Sequence, residues 1–195
     1  MPELRAQIQK CSLCATRFAG TKTAHRPRPV VWYQPDARIL LAGQAPGMRV
    51  HQSGKPFDDR SGDRLRDWLG VDRDTFYDQS LFAVVPMAFC FPGYNSQGHD
   101  LAPPRVCAST WRQPVMDELK DVQMTVLIGR YAQDWHLPGS MSVTARVADW
   151  AAYAPKTFVV PHPSWRNTAW LKANPFFETD VLPHLKSTVK KVLNR

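Results

Sequence analysis

Four cysteines carry the most specific chemistry in this sequence. Cys11 and Cys14 form a C-x2-C pair, and Cys90 and Cys107 lie far along the chain with sixteen residues between them. A C-x2-C pair lets two thiolates bind one metal centre from a single turn, and two distant cysteines can complete a four-thiolate site. Zinc and a [4Fe–4S] cluster both accept four thiolates, and the spacing does not separate them. The alternative is that these cysteines are unpaired core residues, since free cysteine is often buried.

A histidine and a glycine-rich turn both follow predicted strands. The apolar run Ile39-Leu40-Leu41 precedes Gly43-Gln44-Ala45-Pro46-Gly47, and Phe158-Val159-Val160 leads into Pro161-His162-Pro163. Ligands of open α/β sheets bind at the carboxyl ends of strands, where a glycine-rich backbone can approach them closely. His162, held between two prolines, suits a hydrogen-bond donor to developing negative charge. The alternatives are an ordinary strand-to-helix connection and an exposed loop histidine.

The elements that must position these residues alternate along the chain. Buried strands are predicted at residues 38–42, 81–85, 126–129 and 158–160, because each is a short apolar run beside a turn signal. Helices are predicted over residues 2–10, from Gly62, from about residue 103 towards 119, from Tyr131, over 143–152, and from Asn174 with an interruption or bend at Pro183. Residues 43–61 read as a loop. This alternation predicts one α/β domain, residues 1–195, with a parallel sheet covered on both faces.

Charge and composition indicate the class of partner. Twenty-five Lys and Arg residues against 17 Asp and Glu residues give a net charge of +8, which favours a polyanion, nucleic acid before membrane. No apolar run approaches the roughly 20 residues of a membrane span, and the first residues do not resemble a signal peptide. We therefore expect a cytoplasmic, nucleoid-associated protein with no membrane partner.

Three motifs in this order resemble the uracil-DNA glycosylase superfamily: Gly43-Gln44-Ala45-Pro46-Gly47, Gly54-Lys55-Pro56-Phe57 and His162-Pro163-Ser164. The four cysteines resemble, in order and spacing, the iron–sulfur branch of that superfamily (family 4). The resemblance covers nearly the whole chain. It implies a three-layer α/β/α fold with a central four-stranded parallel sheet and a DNA-binding groove across the carboxyl ends of the strands. It also implies a monomeric, monofunctional DNA glycosylase of base excision repair, which hydrolytically excises a damaged or deaminated base, with uracil as the first candidate.

The resemblance also implies roles for individual residues. The backbone around Gln44 would place the catalytic water and border the base pocket, Phe57 would stack on the flipped base, and His162 would hydrogen-bond the base O2. A [4Fe–4S] cluster would be held by Cys11, Cys14, Cys90 and Cys107, with zinc as the alternative. Further residues assigned to the base pocket are Gly43, Ala45, Pro46, Gly47 and Met87, and those assigned to the DNA minor groove are Ser164, Trp165, Arg166 and Asn167.

Several positions depart from the family pattern. Gln44 stands where the iron–sulfur branch carries Glu, and Ala45 stands where the classical uracil enzymes carry a water-activating Asp. Pro86 and Met87 occupy the stretch that carries the uracil-reading Asn. The end of the His motif is more similar to the single-strand-selective uracil glycosylases.

Two acidic residues bear on these departures. Asp58 and Asp59 could replace the missing water activator, since a carboxylate can align water or stabilise a sugar cation. The alternative is a solvated acidic loop or a salt bridge with Arg60. The departures also leave open a non-catalytic DNA-damage-binding protein of the same fold, or an enzyme that removes a different base.

Overall fold

A four-stranded, entirely parallel sheet forms the centre of the computed structural model, which describes residues 2–194. The strands are β1 (Ile39–Ala42), β2 (Phe82–Val84), β3 (Met124–Ile128) and β4 (Thr157–Val160), in the spatial order β2-β1-β3-β4. After β1 the chain moves to one side for β2 and then to the other side for β3. The order therefore reverses between β1 and β3, and the crevice at the carboxyl ends of these strands is the expected ligand position.

Helices connect the strands and cover the sheet. Their bounds are α1 Pro2–Gln9, α2 Ala15–Ala19, α3 Met48–Ser53, α4 Arg60–Leu69, α5 Arg73–Tyr77, α6 Arg105–Glu118, α7 Arg130–His136, α8 Val143–Ala148, α9 Thr168–Ala173 and α10 Leu182–Leu193. Short 3-10 helices lie at Trp150–Ala152 and Trp165–Asn167, and a π-helix lies at Phe177–Val181. None of the helices described in residues 2–194 is long and apolar enough to cross a membrane.

The core is divided between the two faces of the sheet. Leu41 of β1 belongs to the larger cluster, together with Trp68 of α4 and Leu185 of α10. Leu40, its neighbour, belongs to a second cluster with Ile8 of α1 and other residues. Successive strand residues point to opposite faces, so both faces of β1 are covered by helices. The predicted three-layer α/β/α fold with a central four-stranded parallel sheet is confirmed.

Three local predictions differ from the structure. The predicted loop 43–61 contains α3, and α4 begins at Arg60 rather than near Gly62. The helix predicted over 143–152 ends at Ala148 and is followed by a 3-10 turn. The interruption predicted at Pro183 is present, because the π-helix Phe177–Val181 changes directly into α10 one residue before this proline, which supplies no N–H for an i−4 hydrogen bond.

Candidate active site and cysteine pocket

The turn after β1 is fixed to the segment after β2 by two backbone hydrogen bonds. The N–H of Met87 donates to the Gly43 carbonyl oxygen at 2.9 Å, and the N–H of Ala88 donates to the Gln44 carbonyl oxygen at 3.1 Å. These bonds continue the β1–β2 pairing beyond the strands. Met87 is buried, so the turn that precedes α3 is supported from beneath by the chain after β2.

Phe57 is held over this turn by a strained backbone. Its φ is 53°, a conformation that residues with side chains rarely adopt. A Cβ added at Gly43 would lie 3.9 Å from the Phe57 ring tip, and one added at Gly62 would lie 1.7 Å from the Phe57 carbonyl oxygen. Only glycine therefore fits at position 62, and Arg66 donates to the same carbonyl at 3.3 Å. The half-buried Phe57 ring therefore lies beside Gly43.

His162 follows β4 and is fixed at both its ring and its backbone. The N–H of Ser164 donates to His162 Nδ1 at 3.2 Å, and Asn167 Nδ2 donates to the His162 carbonyl at 2.8 Å. Burial lowers the pKa of His162, and the Asp59 carboxylate opposes that shift. A neutral imidazole that accepts at Nδ1 carries its proton on Nε2. The ring therefore presents an N–H donor at Nε2 at neutral pH.

The two acidic residues of the Phe57 loop have different surroundings. Asp59 caps α4, where its Oδ1 accepts a hydrogen bond from the Gly62 N–H at 2.9 Å, and its charge acts on His162. Asp58 accepts a hydrogen bond from Arg73 at 2.6 Å, which holds the pKa of that carboxyl below its usual range. Asp59 is thus the acidic side chain placed near His162, whereas Asp58 is engaged by Arg73. The salt bridge with Arg60 that was the alternative for this acidic pair is not formed within residues 2–194, where Asp58 pairs with Arg73 instead.

The segment after His162 forms a capped, exposed turn. Ser164 Oγ accepts a hydrogen bond from the Arg166 N–H at 3.2 Å and caps the 3-10 helix Trp165–Asn167. Arg64 of α4 donates to the Ser164 carbonyl at 3.0 Å, which ties the turn to the helix that Asp59 caps. Trp165 is 71% exposed, and the Arg166 guanidinium lies 5.7 Å from its ring centroid.

Some residues that build this site were not predicted from the sequence. Gly129 lies against His162, since a Cβ added there would be 3.8 Å from the His162 Cβ. Gln133 is fully buried, and its Nε2 donates to the carbonyls of Leu127 and Val160 at 3.3 and 3.0 Å. Gly129 could have been identified from the sequence, because it ends the predicted third strand, where ligand sites of such sheets lie. Gln133 could not, because nothing in the sequence indicates that its side chain donates hydrogen bonds to the ends of two strands.

All four cysteines line one apolar pocket between α1, α2, α6 and the segment after β2. The remaining lining side chains include Ile8, Phe18 and Trp111. Burial, with a contribution from the other thiols, raises the pKa of Cys90 to about 12 and that of Cys107 to about 11. The N–H of Phe89 donates to Cys107 Sγ at 3.4 Å. Among residues 2–194, no three His, Cys, Asp or Glu side chains converge on a point suited to a single metal ion.

One buried polar atom beside these thiols has no partner in the described part of the chain. It is the indole Nε1 of Trp111. An apolar pocket that brings together four thiols and an unpaired N–H donor fits a group that offers several sulfur acceptors.

Comparison with known families gives a match over most of the chain. The family model described as the uracil DNA glycosylase superfamily matches residues 30–186. The match includes β1 to β4, all three motifs, Cys90 and Cys107, whereas Cys11 and Cys14 precede it.

Proposed function

Because the chain belongs to the uracil-DNA glycosylase superfamily, we propose that it is a monofunctional DNA glycosylase that flips a damaged or deaminated base out of DNA and excises it by hydrolysis. Uracil is the first candidate base. The observation that carries this proposal is the placement of His162 after β4, with its Nδ1 accepting a hydrogen bond from the Ser164 N–H, which leaves Nε2 as the donor of a neutral ring.

His162 would stabilise the leaving base. Breaking the N-glycosidic bond places negative charge on the base and positive charge on the sugar. An N–H aimed at the developing oxyanion typically contributes about 3–4 kcal/mol to transition-state stabilisation. Because burial disfavours a charged imidazole, His162 acts as a neutral donor and does not transfer its proton.

Water is the proposed nucleophile. The only lysine in the three site motifs, Lys55, has its Nζ 3.9 Å from the Tyr77 ring centroid, and this contact opposes its use as a Schiff-base amine. The backbone of residues 43–47 would hold the water from one side. The Asp59 carboxylate, whose charge acts on His162, is the proposed residue that orients the water or stabilises the sugar cation, whereas the Asp58 carboxylate is hydrogen-bonded to Arg73.

DNA is the proposed partner, bound by the protein as a monomer. Flipping a base costs a few kcal/mol, which proteins offset by filling the vacated space and contacting the phosphates. Trp165 suits the filling role because it is 71% exposed on a turn held by Arg64. Arg166 beside it, and the net charge of +8, suit contact with the backbone.

The proposed cofactor is a [4Fe–4S] cluster on Cys11, Cys14, Cys90 and Cys107. Four thiols around one apolar pocket suit a [4Fe–4S] cluster, which takes one thiolate at each of its four irons. Zinc, which takes four thiolates at a single ion, is the alternative. When bound, the cluster would cross-link the segment around α1 and α2 to the chain after β2 and to α6. Iron and acid-labile sulfide analysis of anaerobically purified protein tests this assignment, and one equivalent of zinc in colourless protein would overturn it.

A non-catalytic damage-binding protein is the second candidate, and one observation favours it. Met87 is buried and its N–H is engaged by the Gly43 carbonyl, so the stretch after β2 offers an apolar side chain where the family's base-reading amide would stand. Such a site can hold a flipped base by stacking without selecting uracil by its polar edge.

An oligonucleotide panel separates the two candidates. The wild-type protein is incubated with single strands and duplexes that carry uracil, hypoxanthine, xanthine or hydroxymethyluracil, and abasic sites are then cleaved with alkali. Alkali-dependent cleavage at uracil supports the proposed glycosylase. Tight binding without cleavage of any substrate supports the second candidate.

A further inference from the structure

Trp111 contains a hydrogen-bond donor that the protein itself does not use. Its indole Nε1 is buried and has no acceptor within residues 2–194. Buried polar groups are usually paired, and what distinguishes Trp111 from the equally unpaired Trp32 is that its side chain lines the pocket of the four thiols. Water is a poor candidate for the partner of the Trp111 N–H, because a buried water needs two to four polar neighbours and this pocket is lined mainly by apolar side chains.

The helix places this donor beside the thiols. Cys107 and Trp111 are four residues apart on α6, so their side chains lie on the same face. Helical side chains lean towards the N-terminus, and the indole therefore leans over the turn that carries Cys107. Both residues line the same pocket as the other three cysteines. The backbone N–H of Phe89 already donates to Cys107 Sγ at 3.4 Å, so N–H···S geometry exists in this pocket.

We propose that the Trp111 indole N–H donates a hydrogen bond to a sulfur of the iron–sulfur cluster or of its thiolate ligands, and that this bond raises the reduction potential of the cluster. The inference rests on the proposed cofactor. Donors to cluster sulfurs stabilise the more negative, reduced state, which is one of the main ways in which proteins tune these potentials. Trp111 is thus a positioning and tuning residue of the cofactor, with no contact to the base being excised.

The test compares Trp111→Phe with Trp32→Phe in protein that contains its cluster. Trp32 is a matched control, because its Nε1 is also buried and unpaired, but its ring packs edge-on against Tyr77 with centroids 5.7 Å apart. The midpoint potential of the cluster is measured by direct electrochemistry, together with iron and sulfide content. Trp111→Phe should shift the potential to more negative values, by about 59 mV if the reduced-to-oxidised ratio changes tenfold in a one-electron couple. Trp32→Phe should match the wild type.

Equal potentials in the wild type and both variants would overturn the inference and leave the cofactor assignment intact. If Trp111→Phe does not retain iron, Trp111→His decides, because it restores a ring N–H. Recovery of iron in Trp111→His supports the hydrogen bond, and loss of iron in both variants overturns it. Wild-type protein without iron and sulfide would overturn the cofactor assignment and this inference together. Base excision is measured on the same wild-type sample, so that the glycosylase proposal is tested independently of the cluster.

Discussion

Replacing His162 with alanine removes one donor and leaves its loop anchored. The Asn167 side chain bonds to the backbone carbonyl of residue 162 at 2.8 Å, and this contact survives the substitution. The Arg64 bond to the Ser164 carbonyl at 3.0 Å survives as well. Only the Ser164 N–H loses its acceptor, Nδ1, at a cost of about 1 kcal/mol to stability. The position of the exposed turn at Trp165 should therefore be preserved.

The catalytic effect should be much larger than the structural one. Loss of a single oxyanion donor typically lowers the rate by about 10²–10³-fold, equivalent to about 3–4 kcal/mol in the transition state. The donor acts on charge that is absent from the ground state, so affinity for DNA should change little. His162→Ala should therefore separate the rate of base release from binding.

Single-turnover release of uracil from a labelled oligonucleotide, with enzyme in excess, measures the chemical step directly. DNA affinity is measured on the same substrate under the same salt conditions. His99→Ala is the matched control, since His99 is exposed in the loop before α6. A wild-type rate in His162→Ala would refute the donor role. Equal losses of rate and of affinity would show that the residue positions DNA and does not act on the leaving base.

Four further predictions concern neighbouring parts of the structure. Asp59→Asn should keep the α4 cap, since Asn and Asp cap equally well, so slower single-turnover excision with unchanged urea stability would isolate the effect of the charge. Gly62→Ala should lower the free energy of unfolding by about 1–3 kcal/mol, measured by urea unfolding, because its Cβ would lie 1.7 Å from the Phe57 carbonyl oxygen. His136 has a pKa lowered from 6.5 to about 4, by burial and then by Arg112. Between pH 4 and pH 6.5 the unfolded chain therefore binds more protons than the folded one. The free energy of unfolding should fall by up to about 2–3 kcal/mol as the pH drops through this range. His136→Gln should remove this part of the pH dependence of unfolding. Trp165→Ala should weaken binding to damaged duplex by about tenfold in fluorescence anisotropy, as expected for loss of one aromatic stacking contact, with little change in thermal stability.

Each of these predictions has a contrary outcome. Full activity in Asp59→Asn would limit that residue to capping α4. A fully stable Gly62→Ala would contradict the close approach to Phe57. An unchanged pH profile in His136→Gln would assign the acid sensitivity to other groups. Equal duplex affinity in Trp165→Ala would remove the proposed wedge.

The strands could be predicted from the sequence because their signal is local. Every residue of β1 is buried, so the strand appears as a continuous apolar run, which is typical of a parallel sheet covered on both faces. The short helix α3 could not be predicted in this way. It is six residues long with only Val50 buried, between Gly47 and a left-handed Gly54, so its composition is that of a loop.

The candidate site, like the fold, could be predicted from the sequence only in part. The order of the motifs indicated the superfamily, which the family match confirms. The different roles of Asp58 and Asp59 depend on Arg73, a residue fifteen positions from Asp58, and adjacent carboxylates cannot be distinguished by type. The tautomer of His162 depends on a single backbone N–H from Ser164, which is a consequence of the turn geometry. The unpaired donor of Trp111 becomes apparent only when all of its neighbours are known.

The most direct test of the proposed activity is base release by the wild-type protein. Uracil-containing oligonucleotide is incubated with the protein, divided, and analysed untreated, after alkali, and after borohydride. A monofunctional glycosylase that uses water should leave the untreated strand intact, give strand cleavage after alkali, and form no adduct with borohydride. A borohydride-trapped adduct would contradict the water mechanism and implicate Lys55, and no alkali-sensitive site with any base of the panel would contradict the glycosylase activity itself.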